Sequence, residues 1–319
     1  MKTDVTAFGE ILIDFTDAGK DERGTRLFAA HPGGAPANVA VGVARLGAKS
    51  AFIGKIGDDF HGEMLRKVLE DNNVDTSGLL SDESVFTTLA FVQVDENGER
   101  TFSFARKPGA DTRISWEEIE EKQIENSKIF HTGSLSLTHE PAASATRKAL
   151  EAAKKAGVIV SYDPNYRASL WKDEKTAVEA MRSLIPCADL MKISDEETAL
   201  LTDQPNPIDA ARALIDQGVK IVAVTLGAEG SLIANREGYR VVPGFKSTVA
   251  DTNGAGDSFW AAMLSRIAAS GKQPEELCLD ELEAFVRYAN GAAALTVRKP
   301  GAIPAMPTHD EVEALLEKE

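Results

Sequence analysis

Cysteine is scarce in this chain of 319 residues: Cys187 and Cys278 stand in separate segments. That pair makes neither a metal-ligand spacing nor a disulfide framework, and it fits a reducing, cytoplasmic setting. Basic residues are in deficit, 35 Lys and Arg against 50 Asp and Glu, for a net charge of −15. An acidic chain lacks the basic face that nucleic-acid binding requires, so that class is excluded. The excess acid serves solubility, and any anionic ligand must be held by local donors. Long apolar runs are missing too. No stretch reaches the roughly 18 residues of a membrane helix. Met1-Lys2-Thr3-Asp4 opens no apolar run before a cleavage site, so no signal peptide is expected. Internal repeats and low-complexity segments are likewise absent.

What the chain does have is 43% hydrophobic residues over a length ample for a large core. Val5–Phe15 reads as a strand, Ala35–Leu46 as a helix, Ser50–Ile56 as a strand and Asp59–Asn72 as a helix with Met64, Leu65, Val68 and Leu69 on its apolar face. Phe86–Val94 and Arg100–Ala105 read as a hairpin through Asn97-Gly98, a strong turn signal between apolar runs. From about residue 128, strands and helices alternate: strands at 128–132, 158–162, 189–193 and 220–225, with helices at 141–156 and 174–185 and short ones over 195–216. Two further strands, 230–234 and 239–242, precede a long Ala-rich helix at 282–297. This alternation predicts a parallel sheet covered on both faces. The hairpin and the segment after Asp14 break the alternation and are expected to form a β-appendage, a lid, over one end of the sheet. Ligands in such sheets bind beyond the carboxyl ends of the strands.

One stretch carries chemistry on its face. Asp251-Thr252-Asn253-Gly254-Ala255-Gly256-Asp257-Ser258-Phe259 leads a glycine-rich turn into an apolar helix. The unpaired first amides and the helix dipole make a site for phosphate. Asp257 places a carboxylate inside that site, where a general base for an attacking hydroxyl belongs. Taken alone, the same pattern also describes a helix start with an acid complementing the dipole. Two near-motifs fail. Gly42-Val43-Ala44-Arg45-Leu46-Gly47-Ala48-Lys49-Ser50 has its Lys one residue late for a P-loop, and runs from helix to strand. Gly254-Ala255-Gly256 lacks the third glycine of a dinucleotide fingerprint, since Phe259 stands there.

Four segments together resemble the ribokinase-like carbohydrate kinases, the PfkB group, over nearly the whole chain. They are Gly33-Gly34-Ala35-Pro36-Ala37-Asn38 with Ala44-Arg45-Leu46-Gly47, then Lys192-Ile193-Ser194-Asp195-Glu196-Glu197, then Thr225-Leu226-Gly227, then Asp251–Asp257. Asn253 and Ser194 depart from the commoner residues, Thr and Asn. The resemblance implies one kinase domain over 1–319, an α/β fold that is a Rossmann-like α/β/α sandwich, with a small β-sheet lid from about 15–32 and 86–106. It implies transfer of the γ-phosphoryl group of ATP to a sugar hydroxyl, with Asp257 as base and Gly254, Ala255 and Gly256 in the anion hole. Magnesium would ride on the ATP phosphates, with Glu197 ordering its water. Lys192, Thr225, Gly227 and Asn290 would meet the nucleotide. Potassium would lie near Asp251, Asn253, Thr296 and Gly301. Asp14, Gly33, Gly34, Asn38, Phe104, Arg106 and Arg167 would meet the sugar, and paired lids would make a homodimer. Phe104–Asp111 and Asp163-Pro164-Asn165-Tyr166-Arg167 resemble bacterial fructokinase. The alternatives are a 2-keto-3-deoxygluconate kinase, whose carboxylate would also suit Arg106 and Arg167, and a non-catalytic sugar or nucleotide sensor.

Overall fold

The computed structural model describes residues 2–94 and 100–318, so the expected Asn97-Gly98 turn lies outside the described residues. Among the described residues, nine strands form a large sheet and four form a small one. In the large sheet the strand Thr3–Phe8 lies between Ser127–Thr132 and Ser50–Gly57, parallel to both. Parallel pairing continues outward to Val74–Asp82 on one side. On the other it runs through Ile159–Tyr162 and Leu190–Ser194 to Ile221–Thr225. Gly230–Asn235 and Gly238–Pro243 then close that edge antiparallel. The sheet is therefore mixed, where alternation alone implied a purely parallel one.

Both faces of the large sheet are covered, because successive residues of each strand point to opposite sides. Along Ile221–Thr225, Val222 and Val224 join the core beneath Ala142–Lys155 and Glu174–Leu184. Ile221 and Ala223 join the opposite core with Phe259, Trp260 and Val286. The helix Ala255–Ser270 is apolar all round and buried almost throughout, as suits a helix between a sheet and other helices. Gly42 allows Ala35–Arg45 to approach it: a Cβ there would stand 2.6 Å from Ala261 Cβ. Among the described residues, no helix is long and apolar enough to cross a membrane.

The small sheet has the order Arg26–Gly33, Leu12–Lys20, Leu89–Val94, Arg100–Ala105. Here the structure corrects the single strand expected over Val5–Phe15. That run is two strands in two sheets, Thr3–Phe8 and Leu12–Lys20. Gly9 makes the break with φ near 150°, and a Cβ there would lie 2.6 Å from Pro36 Cγ. The pattern hides such a change of sheet, since the apolar residues on both sides of Gly9-Glu10 (Val5, Ala7 and Phe8, then Ile11, Leu12 and Ile13) are buried alike. Arg26–Gly33 and Val74–Asp82 are strands that the pattern did not announce. The Ala-rich helix begins earlier than expected, at Leu279, where Glu281 accepts from the Cys278 amide.

Candidate active site

The carboxyl ends of the central strands face the small sheet, and the predicted site residues gather there. Gly254 starts the helix Ala255–Ser270 in the left-handed conformation, φ 74°. A side chain there would also meet Ala302, 2.6 Å from its Cβ. Both constraints select glycine. No side chain caps this helix; Ala255 N donates to the Thr252 carbonyl at 3.3 Å, and the next amides, of Gly256 and Asp257, are left to a ligand. Lys192, in the middle of the strand Leu190–Ser194, reaches the same turn: a Cβ on Gly256 would lie 2.9 Å from Lys192 Nζ. Its ammonium donates to Asp163 Oδ2 at 2.9 Å, and both side chains are buried. Neighbouring carboxylates (Asp163, Glu197 and Asp257) hold Lys192 charged against the cost of its burial.

Asp257 is buried in the first turn of that helix and accepts from Asn38 Nδ2 at 2.8 Å. Burial raises its pKa, while Lys192, the Asn38 hydrogen bond and Arg167 oppose that rise. A carboxylate held this way is ready to accept a proton. Asn38 has its Oδ1 buried with no hydrogen-bond partner among the described residues, so an acceptor stands beside the base for a ligand hydroxyl. Asp14 faces them from the small sheet. Burial raises its pKa to about 7; Arg167 opposes the rise, and Asp257 and Asp251 add to it. Gly33 fits against it, since a Cβ there would lie 2.3 Å from Asp14 Oδ2. Asp14, Gly33, Asn38, Asp257 and Arg167 thus converge on one cleft.

Next to the turn, Asp251 accepts from the Asn253 and Gly301 amides, each at 3.0 Å. Thr296 donates to the Ala292 carbonyl and pairs with Ser258. The loop at Gly301 therefore packs against the anion turn from behind.

Other predicted residues have different surroundings from those expected. Glu197 is buried, and its oxygens accept from Tyr166 N at 2.7 Å and from Ser194 N at 2.8 Å. It therefore clamps two strand-end loops and is no loose surface charge. Asn290 accepts from Ser231 and donates to the Val242 and Pro243 carbonyls. These bonds tie the long helix to the sheet edge and consume its amide. Arg106 is buried with Nε and Nη2 on Asp111 Oδ2, Nη1 on Thr138 and Nη2 also on the Leu135 carbonyl. Its charge is neutralised within the protein by Asp111. Phe104 stands next to Ala90 and two strands from Asp14 on the same face of the small sheet. Thr225 ends its strand beside Ser194, and Gly227 opens the short helical turn that follows. Sequence reasoning passed over Asp163, whose burial lifts its pKa to about 6 against the pull of Lys192. Its place directly after a strand was the signal that could have found it.

A family model described as pfkB family carbohydrate kinase matches residues 2–309. The chain belongs to this family. It is an ATP-dependent carbohydrate kinase. A probable chloroplastic fructokinase-6 from Arabidopsis thaliana is 46% identical, over 98% of this chain and 82% of the relative. A Xylella fastidiosa fructokinase with bound ATP superposes with TM-score 0.91 at 33% identity, covering 99% of each chain. A Vibrio cholerae O395 fructokinase double mutant, in its fructose-, ADP- and potassium-bound form, superposes with TM-score 0.88 at 32% identity, also over 99% of each. In this kinase, the fold expected from the motifs is the fold present.

Proposed function

We propose that this kinase transfers the γ-phosphoryl group of ATP to the 6-hydroxyl of fructose. The observation that carries the reading is the Asp257–Asn38 pair at the glycine turn, with the amide nitrogen of Asn38 on the base and its Oδ1 left for the sugar. Fructokinase relatives of matching length, and neighbours whose names include fructose, ADP and ATP, support the choice of substrate.

Asp257 takes the proton from the attacking hydroxyl as that oxygen bonds to phosphorus and the β–γ bridging oxygen leaves. The amides of Gly256 and Asp257 hold the charge that gathers on the transferred group, while the Ala255 amide, on the Thr252 carbonyl, and Gly254 let the turn form. Lys192, next to Gly256, adds a cation on the same side. Asp14 and Asn38 orient the sugar, with Gly33 and Gly34 allowing close approach and Phe104 lining the lid. Thr225 and Gly227 line the nucleotide side, and Asn290 shapes it by holding the sheet edge. Magnesium would supply charge neutralisation on the phosphates. Glu197, both oxygens already engaged, would meet it only through water. Among the described residues, no cluster of three or more His, Cys, Asp or Glu is arranged to hold a metal. Potassium would take carbonyl oxygens from the segment of Asp251 and Asn253 and from the loop of Thr296 and Gly301, which Asp251 braces.

The small sheet acts as the lid in this reading. The face opposite Asp14 carries Phe15 stacked on Phe91, with Phe28 edge-on to Phe91. Phe28 on this face and Leu27 on the other are exposed, so a homodimer formed around the lid would cover them. Two free thiols suit a cytoplasmic site.

The keto-acid reading loses one of its two cations, because Arg106 is already paired with Asp111. A sensor would have no need of a base set at the anion turn. ADP release measured with fructose, ribose, adenosine and 2-keto-3-deoxygluconate tests all three. Fructose is expected to give the highest kcat/KM. A higher value for the keto acid would reassign the substrate, and no turnover with any sugar would favour the sensor.

A further inference from the structure

The chain passes between the two sheets four times. It leaves the large sheet through Gly9-Glu10-Ile11 and returns through Gly34 into Ala35–Arg45. It leaves again through Thr87-Thr88 and returns from Ala105 through Arg106–Asp111. These crossings are bonded to one another. Thr88 donates to Asp111, which also holds Arg106. Ile13 N donates to the Thr88 carbonyl at 3.1 Å. A Cβ on Gly34 would stand 2.5 Å from the Glu10 carbonyl oxygen.

Glu10 closes this knot. Its Oε1 accepts from Ala35 N at 3.0 Å, and its side chain is buried. Ala35 opens the helix that carries Asn38. Gly34 has no side chain to cap that helix, and Pro36 has no N–H to need a cap. The helix is therefore capped from 25 residues away, by a carboxylate that also complements its dipole. Two residues on from that crossing lies Ile13, and then Asp14. We propose that Glu10 is a positioning residue of a lid hinge: by tying crossing 9–11 to crossing 34–35 it fixes Asp14 and Asn38 relative to each other around the sugar.

The inference rests on the reading that sugar binds between Asp14 and Asn38. Glu10 Oε2 is buried without a hydrogen-bond partner among the described residues. Burial raises the Glu10 pKa to about 7, Asp111 adding to the rise and Arg106 opposing it. A group with no more than local packing to do would be cheaper as an apolar residue, so the retained carboxyl points to a task.

Steady-state kinetics with fructose and ATP varied separately tests this. Wild-type turnover of fructose is measured first, so that failure of the substrate reading shows itself before any variant is compared. Glu10→Asp keeps the charge but is one methylene too short for Ala35 N. Glu10→Gln keeps the acceptor and the length. The Asp and Ala variants are expected to raise the fructose KM about tenfold, with the ATP KM within twofold. Glu10→Gln is expected to stay within threefold of wild type for both. If Glu10→Ala does not accumulate, Glu10→Asp carries the test. Equal effects on both KM values, or a lower Tm with the fructose KM unchanged, would overturn the proposal and leave the substrate reading intact.

Discussion

On the phosphate side of the cleft, Lys192 is paired with Asp163 and Asp251 braces the amides of Asn253 and Gly301. On the sugar side, Asn38 Oδ1 is buried without a partner among the described residues, and Asp14 has a pKa pushed up to about 7. The difference follows from what each side must do. A phosphoryl group presents the same charge in every turnover, so its donors gain from being fixed beforehand. A sugar is recognised by its hydroxyls, and groups left unsatisfied until it arrives reject a ligand that cannot satisfy them. In the proposed reading the phosphate side is preorganised and the sugar side is completed by substrate.

The sharpest way to break this comparison is at Asp257, which belongs to both halves. Asp257→Asn keeps the shape and removes the basicity. A loss of at least about 10²-fold in kcat is expected, with the ATP KM little changed. Activity within threefold of wild type would remove Asp257 from the base role.

Asp14 comes next in size. Asp14→Ala is expected to cost about 2 kcal/mol in fructose kcat/KM, roughly 30-fold, the scale of a hydrogen bond to a charged group. Its effect on ATP should be within twofold. A matching rise in the ATP KM would mean that the two sides are not separable.

The pH dependence tests the same carboxylate without mutation. Sugar hydroxyls donating to Asp14 favour its charged form, so binding must remove the proton held by the free enzyme. With the pKa at about 7, fructose kcat/KM should fall up to tenfold per unit below about pH 7. Stability of the free protein has the opposite sense. A carboxyl raised from 3.8 to about 7 keeps its proton in the fold after the unfolded chain has lost it. Asp14 therefore contributes a loss of stability as pH rises from about 4 to 7, and Glu10 acts in the same direction. Asp14→Asn should flatten both profiles.

The phosphate side was the more legible half in the sequence, for a physical reason. Its chemistry lies in one continuous stretch, Asp251–Asp257, where glycine positions and a following apolar helix state the geometry locally. The sugar side is assembled from Asp14, Gly33, Asn38 and Arg167, which meet only through the sheet crossings. Gly9 could not be read as a break between sheets, because its role depends on Pro36 across the turn. Arg106 looked like any cation at a strand end; only its contact with Asp111 shows where its charge is spent. Asn290 and Glu197 were found as positions, yet the hydrogen bonds that occupy them come from distant segments.

The smallest expected effect is at Arg167, and it discriminates between substrates. Arg167 is exposed, with Nη1 donating to the Tyr166 carbonyl. It lowers the pKa of both Asp14 and Asp257 from across the cleft, but solvent screens a charge so placed. With fructose, Arg167→Ala should cost about threefold or less in kcat/KM, and the acid limb of the profile should move to higher pH as Asp14 loses a stabilising cation. A carboxylate substrate would feel the change directly, because Arg106 is committed to Asp111 and Arg167 is the remaining arginine of the two. Both substrates should therefore be run through wild type and variant. A loss with fructose larger than that of Asp14→Ala would reverse the order of the sugar-side groups. A kcat/KM for the keto acid above that for fructose in the wild type, abolished in the variant, would move the assignment to the acid while leaving the phosphate side as described.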